Sequence, residues 1–139
     1  LEFERDSGAT RVDLGHLLAQ SDILSLHLPA TPETKGIINR KTLARLRAGS
    51  ILVNTSRGDL IREPALAEAL ESGHLGAAGL DVYTDEPAIH PRLLAAPRTV
   101  LLPHLGSATA ATRRKMAAIA LANVQAVLSG QPPLTPVYA

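Results

Sequence analysis

Ser50-Ile51-Leu52-Val53-Asn54-Thr55, running on into Ser56-Arg57-Gly58, decides how this chain folds. A short apolar run with Gly49 in front and Gly58 behind predicts a strand buried in a parallel sheet. The same kind of run recurs on both sides. Asp22 to Pro29 is stopped by proline, Gly76 to Tyr83 is built on small residues, and Arg98 to Leu102 ends at Pro103-His104. Helical patterns fill the gaps. Asn39 is expected to cap a helix holding Leu43 and Leu46, closed by Gly49. A helix over Glu63–Glu71 has Pro64 near its first turn, Gly73 behind it, and Leu66 and Leu70 on one face. Upstream, an extended piece from Thr10 to Val12 leads to Asp13. Asp13 is a fair cap for a helix through Gln20 that places Leu14, Leu17 and Leu18 together. Strands alternating with helices give an α/β fold with a parallel sheet.

The remaining segments read less regularly. Leu1 to Asp6 shows no clear period, Thr31 to Thr34 reads as a loop or single turn, and Asp85 to Pro97 reads as irregular. A long helix is expected from Ser107 to Leu128, with Met116, Ala120, Val124, Val127 and Leu128 as its apolar stripe. Gly130 ends it, and Pro132, Pro133 and Pro136 keep the tail extended.

Bulk composition narrows the functional classes. The 139 residues are 45% hydrophobic and 19% charged, which argues for a folded domain. The net charge is +1, from 14 basic and 13 acidic residues without a basic cluster, so nucleic acid is not an expected partner. No cysteine is present, which removes disulfides and thiolate chemistry and suits a cytoplasmic setting. The apolar runs are too short to span a bilayer. Aromatic residues are 2% of the chain, so stacking platforms are largely excluded. No spacing of His, Asp and Glu suggests a metal, and His16, His74 and His90 read as surface residues.

In an open parallel sheet, ligands bind beyond the carboxyl ends of the strands. Those ends carry His27, Leu28 and Pro29; Thr55, Ser56 and Arg57; Asp81, Asp85 and Glu86; and His104, Gly106 and Ser107. One edge thus collects a guanidinium, carboxylates and two imidazoles, and the opposite edge has nothing comparable. Arg57 offers a planar, permanently charged fork for a carboxylate or a polarised carbonyl. His104 can exchange a proton near neutral pH. A carboxylate such as Glu86 beside it would stabilise the imidazolium and raise its pKa. These groups suit hydride transfer from a hydroxy acid, and they suit hydrolysis as well. His27 stands open between a core histidine and a ligand.

Four segments then carry a resemblance. They are Ser21–Pro29 followed by Thr31-Pro32-Glu33-Thr34; Asn54-Thr55-Ser56-Arg57-Gly58; Gly79-Leu80-Asp81-Val82-Tyr83 running to Asp85-Glu86-Pro87; and Leu102-Pro103-His104-Leu105-Gly106-Ser107-Ala108-Thr109. In this order and spacing the chain resembles the D-isomer-specific 2-hydroxyacid dehydrogenases, C-terminal part. Its His-Leu-Gly-Ser-Ala-Thr form and Gly130-Gln131-Pro132-Pro133 ending lean toward the glyoxylate and hydroxypyruvate reductase branch. The resemblance implies a partial Rossmann-like parallel sheet, with the first strands absent, and a long C-terminal helix. It divides the chain into an incomplete NAD(P)-binding domain, residues 1–106, and a helix and tail, residues 107–139, belonging to the substrate-domain side. It makes Arg57 the residue that binds and polarises a small 2-oxo acid, His104 the general acid in reduction and base in oxidation, and Glu86 the partner of His104. It places Leu28, Thr55, Ser56, Arg57, Asp81, His104 and Gly106 around the nicotinamide half of NAD or NADP, and it implies a homodimer. Two other readings remain beside this oxidoreductase: a non-catalytic dinucleotide-sensing module, and an inactive truncated remnant.

The family's Gly-x-Gly-x-x-Gly turn occurs nowhere in these residues. The residue that selects NAD or NADP would also precede Leu1, and so would the strand that pairs with the free edge of the His27 strand. These 139 residues alone are therefore expected neither to bind dinucleotide tightly nor to turn over substrate. Calorimetric titration of the 139-residue polypeptide with NADH should show no binding at micromolar concentrations, and a micromolar Kd would contradict the expectation.

Overall fold

The computed structural model describes residues 2–137; Leu1, Tyr138 and Ala139 lie outside the described residues. The chain divides into two compact units, one ending at Pro103 and the other beginning at His104.

The first unit is built on four parallel strands, β1 (Ile23–Leu26), β2 (Ile51–Asn54), β3 (Ala77–Leu80) and β4 (Thr99–Leu101), in the order β1-β2-β3-β4. Their last residues lie in one cross-strand row: Leu26 pairs with Asn54, Asn54 with Leu80, and Leu80 with Leu101. The helices are α1 (Glu2–Ser7), α2 (Leu14–Gln20), α3 (Arg40–Leu43), α4 (Glu63–Glu71) and α5 (Pro91–Ala95). Because strand order never reverses and parallel crossovers are right-handed, the connections through α3, α4 and α5 fall on one face of the sheet. Leu24, Leu26, Leu52, Ala78 and Leu80 point into the core with Leu43, Leu66, Leu70 and Leu93.

That order corrects one expectation. The continuous apolar runs predicted strands buried on both faces, yet burial alternates along β1, β2 and β3. Ile23 remains 64% exposed and Val100 62%. Side chains alternate across a strand, and the crossover helices cover only the face toward which Leu24 and Leu52 point. Likewise only Leu18 of α2 is buried, while Leu14 and Leu17 are exposed.

Local chemistry sets the helix ends. Asp13 accepts the His16 N–H at 2.9 Å and starts α2; this bond holds its carboxyl below the usual carboxylate range. Asn39 begins α3 with a reciprocal cap: its side chain takes the Lys41 and Thr42 N–H groups, and Thr42 Oγ1 takes the Asn39 N–H at 2.8 Å. The helix is shorter than expected, stopping at Leu43, and Leu46 reaches the core from the turn behind it. At the far end of α4, Arg98 donates to Leu70 O at 2.9 Å and to Gly76 O at 2.6 Å, with its own φ at 55°. It thus satisfies a carbonyl that the helix leaves free. Two α-helices escaped the sequence reading. Residues expected to lack a period form α1, and the stretch expected to be irregular contains α5, started by Pro91 and by His90 Nδ1, which accepts the Arg92 N–H.

The second unit is α6 (Ala110–Leu128) with its flanks. The helix starts three residues later than Ser107, because Thr109 Oγ1 accepts the Thr112 N–H, while Gly106 and Ser107 lie in a turn closed by Ala108 N–H to Leu105 O at 2.9 Å. No residue of α6 is buried, so the expected stripe from Met116 to Leu128 is exposed. Asn123 pins the proline-containing tail, exchanging hydrogen bonds with Thr135 at 2.9 and 3.0 Å.

Leu66 is fully buried on α4. Leu66→Ala should therefore cost about 2–5 kcal/mol, and Asn39→Ala, which removes a cap, about 1 kcal/mol. Urea unfolding followed by circular dichroism checks both values.

Candidate active site

The row Leu26, Asn54, Leu80, Leu101 forms a shelf, and the residues that follow it rise from its rim. The first step past it brings His27, Thr55 and Asp81 side by side, since adjacent strands lie roughly 4.8 Å apart. Among the described residues His27 is exposed, with its ring Nε2 2.8 Å from Ser25 Oγ. Leu28 is half-buried and packs against the core. Thr55 is exposed, and Asp81 is 4% exposed with its N–H bonded to Asn54 O at 3.0 Å.

Asn54 shapes the turn that carries Arg57. Its carboxamide is fully buried. Oδ1 accepts from the Ser56 N–H at 3.1 Å and from Ser56 Oγ at 3.0 Å, while Nδ2 donates to Arg57 O at 2.8 Å. The buried amide is thereby satisfied, and the backbone of residues 55–57 is folded over it. Arg57 emerges exposed, with Nη1 donating to Ser56 O at 2.7 Å. Among the described residues no carboxylate forms an ion pair with it. Its charge remains available for an incoming anion.

The turn after β3 lies against this one. Gly58 is buried, and a Cβ there would overlap the Tyr83 carbonyl and the Thr84 nitrogen. Only glycine allows the two backbones this approach. The Tyr83 N–H donates to Glu86 Oε1 at 2.9 Å, and the Thr84 N–H to Glu63 Oε1 at 2.8 Å. Tyr83 is itself buried, and its hydroxyl donates to Leu102 O at 2.9 Å, tying the end of β3 to the end of β4. Burial raises the phenol above its ordinary value. Thus one unit assembles Thr55, Ser56, Arg57, Asp81 and the turn bearing Glu86 along one rim.

His104 and Gly106 belong to the second unit. His104 is exposed and its φ is 56°, a left-handed backbone that costs a non-glycine residue on the order of 1–3 kcal/mol. Such outliers concentrate at functional positions. Gly106 sits in the turn before α6 and not at the helix start that the sequence suggested. Among the described residues, no group of three or more His, Asp and Glu side chains is placed to hold a metal ion, and no helix is long and apolar enough to cross a membrane.

In the sequence Asn54 and Tyr83 stand only within motifs, Gly58 serves only to mark a strand end, and Glu63 shows no sign of a role. A polar amide closing an apolar run is the one available signal for Asn54. Glu63 reads as an ordinary acid in a first helical turn.

The neutral phenol of Tyr83 is favoured in the folded state, so its contribution is complete below pH about 10 and is lost as pH rises through the higher folded value. Wild type should therefore lose stability above about pH 10 by a component that Tyr83→Phe lacks. At pH 7 the variant should be weaker by about 1 kcal/mol. Urea midpoints measured across pH for the two proteins test this.

Residues 2–106 match the family profile described as D-isomer specific 2-hydroxyacid dehydrogenase, NAD binding domain. The chain is 48% identical over 131 residues to a glyoxylate/hydroxypyruvate reductase B of Pectobacterium atrosepticum, covering 94% of this chain and 41% of that protein. It superposes on a glyoxylate reductase from Paecilomyes thermophila with TM-score 0.89 and 44% identity, covering 99% of this chain and 42% of the other. It also superposes on an NADPH-dependent glyoxylate/hydroxypyruvate reductase from Sinorhizobium meliloti, in complex with NADP and malonate, with TM-score 0.84 and 36% identity, covering 89% and 39%. The chain thus spans about 41% of the length of the first relative it matches. With the parallel sheet, the motif-bearing rim and a profile match over most of its length, the chain belongs to the D-isomer-specific 2-hydroxyacid dehydrogenases, residues 2–106 matching their NAD-binding domain.

Proposed function

We propose that the protein catalyses reversible hydride transfer between NAD(P)H and C2 of a small 2-oxo acid of the glyoxylate or hydroxypyruvate kind, giving the D-2-hydroxy acid. The observation that carries this reading is Arg57, an exposed guanidinium without a carboxylate partner among the described residues, held at the sheet rim by a turn built over buried Asn54. A planar cation there is suited to take the substrate carboxylate in a two-pronged bond and to polarise the neighbouring carbonyl. The glyoxylate and hydroxypyruvate reductases among its relatives support the substrate class.

The rim fits the nicotinamide end of a dinucleotide. Thr55 and Ser56 offer hydroxyls, and Asp81 offers a carboxylate able to accept from a carboxamide. Leu28 would add apolar surface on the β1 side, and Gly106 would be a further contact of the nicotinamide half. When bound, the nicotinamide supplies the hydride for C2. His104 would give a proton to the C2 oxygen as that oxygen takes on negative charge, and would take it back in oxidation. Glu86 would stabilise the imidazolium through its opposite charge. Reduction consumes one proton with each hydride.

The natural full-length protein should consume NADH or NADPH with glyoxylate or hydroxypyruvate, followed at 340 nm. His104→Gln should lower kcat by about 100-fold or more with little change in KM. Arg57→Ala should raise KM and lower kcat/KM by about 10- to 100-fold. Wild-type turnover in His104→Gln would refute the assignment. Absence of turnover with any small 2-oxo acid, together with retained dinucleotide binding, would indicate a sensing module.

A further inference from the structure

We propose that Glu63 is a positioning residue for the active site, fixing the turn that carries Glu86 relative to the turn that carries Arg57; this rests on the catalytic reading above. Glu63 is the first residue of α4 and only 8% exposed. A carboxylate is costly to bury without a charged or hydrogen-bonding partner. Among the described residues Glu63 forms no ion pair; its hydrogen-bond partner is the Thr84 N–H at 2.8 Å, 21 residues away in the chain. The helix N-terminus favours the negative charge, and partial burial strengthens that effect. The buried carboxylate also takes an N–H from a separate turn, and that bond ties the start of α4 to the segment after β3.

The contact closes a clamp. Arg57, Gly58 and Glu63 lie on one short segment, and that segment grips the Tyr83–Thr84 peptide at two points: Gly58 packs its backbone on the Tyr83 carbonyl, and Glu63 holds the Thr84 N–H. The next amide back, that of Tyr83, is taken by Glu86 Oε1. The carboxylate assigned to the imidazole is thus anchored on the peptide that Glu63 and Gly58 hold. The Arg57 side is braced separately, by Arg62 N–H to Ile38 O at 2.8 Å and Ile38 N–H to Leu60 O at 2.9 Å. Loss of Glu63 should consequently loosen Glu86 more than Arg57, and act on proton transfer more than on substrate binding.

The test uses Glu63→Ala, Glu63→Asp and Glu63→Gln in the natural full-length protein, with glyoxylate and NAD(P)H. Gln keeps an oxygen at the right reach for the Thr84 N–H, Asp keeps the charge but falls one methylene short, and Ala keeps neither. Ala and Asp should lower kcat by about 10- to 100-fold with KM changed less than about threefold. They should also shift the alkaline limb of the kcat/KM profile to lower pH, as a less supported imidazolium requires. Gln should restore both to within about threefold of wild type. Asp is expected to fold even if Ala does not, so the limb shift can be read in either case. Wild-type kcat and limb in Asp, or loss of activity tracking loss of folded protein with the limb unmoved and no rescue by Gln, would overturn the proposal. If Arg57→Ala and His104→Gln, measured alongside, are crippled while the Glu63 variants are not, only the positioning role fails. If those two also turn over normally, the reading of the site fails with it.

Discussion

The site depends on one buried amide. Asn54 ends the second strand inside the core, where its carboxamide has to find partners, and it finds them in the backbone and hydroxyl of the next three residues. A buried amide left unpaired would cost about twice what each of its bonds contributes net. Satisfying it dictates the path of Thr55, Ser56 and Arg57. The turn thereby acquires a rigid interior while its cationic side chain stays in solvent. Electrostatic capture of an anion needs this combination, because a cation on a mobile turn would have to be ordered at the moment of binding.

The next level is the approach of two turns. Gly58 has no side chain, so the backbone after Arg57 lies directly on the backbone after Asp81 and Val82. Glu63 and Tyr83 then use the polar groups that this approach leaves in the interior, one reaching Thr84 and the other reaching Leu102. Each of these bonds crosses between elements far apart in sequence. They join the ends of β2, β3 and β4 into a single rim. The exposed ion pairs Arg40–Glu68 and Arg92–Glu71 also cross between elements, but solvent screens such pairs and they contribute little.

Sheet order settles which surfaces are covered. A monotonic run of parallel strands sends its crossover helices to one side, so the second face of the sheet keeps Ile23 and Val100 in the open despite their apolar character. The apolar residues of α6 are exposed in the same way. The relatives are more than twice as long as this chain, and these apolar surfaces are what the described residues offer for further packing.

Much of this was legible in the residues alone, wherever the cause is local. Apolar runs closed by Pro29, Gly58 and Pro103 marked the strands, because strand propensity and chain breakers act over a few residues. The caps at Asp13 and Asn39 and the span of α4 followed from side chains within one turn of the positions they control. The strand-end residues Arg57 and Asp81 could be named because a parallel sheet puts all its carboxyl ends on one side, whereas Glu86 was told from Asp85 only by the family motif. What only the tertiary structure decided involves partners far apart in the chain. The period of a strand does not say which of its faces a helix will cover, so the alternate exposure of β1 and β2 came from strand order. A helix-opening acid such as Glu63 looks like any solvated carboxylate until Thr84 is seen to lie against it. The burial of Asn54 and the backbone contact of Gly58 likewise depend on where other strands place their ends, and that is a property of the assembled core and not of any single segment.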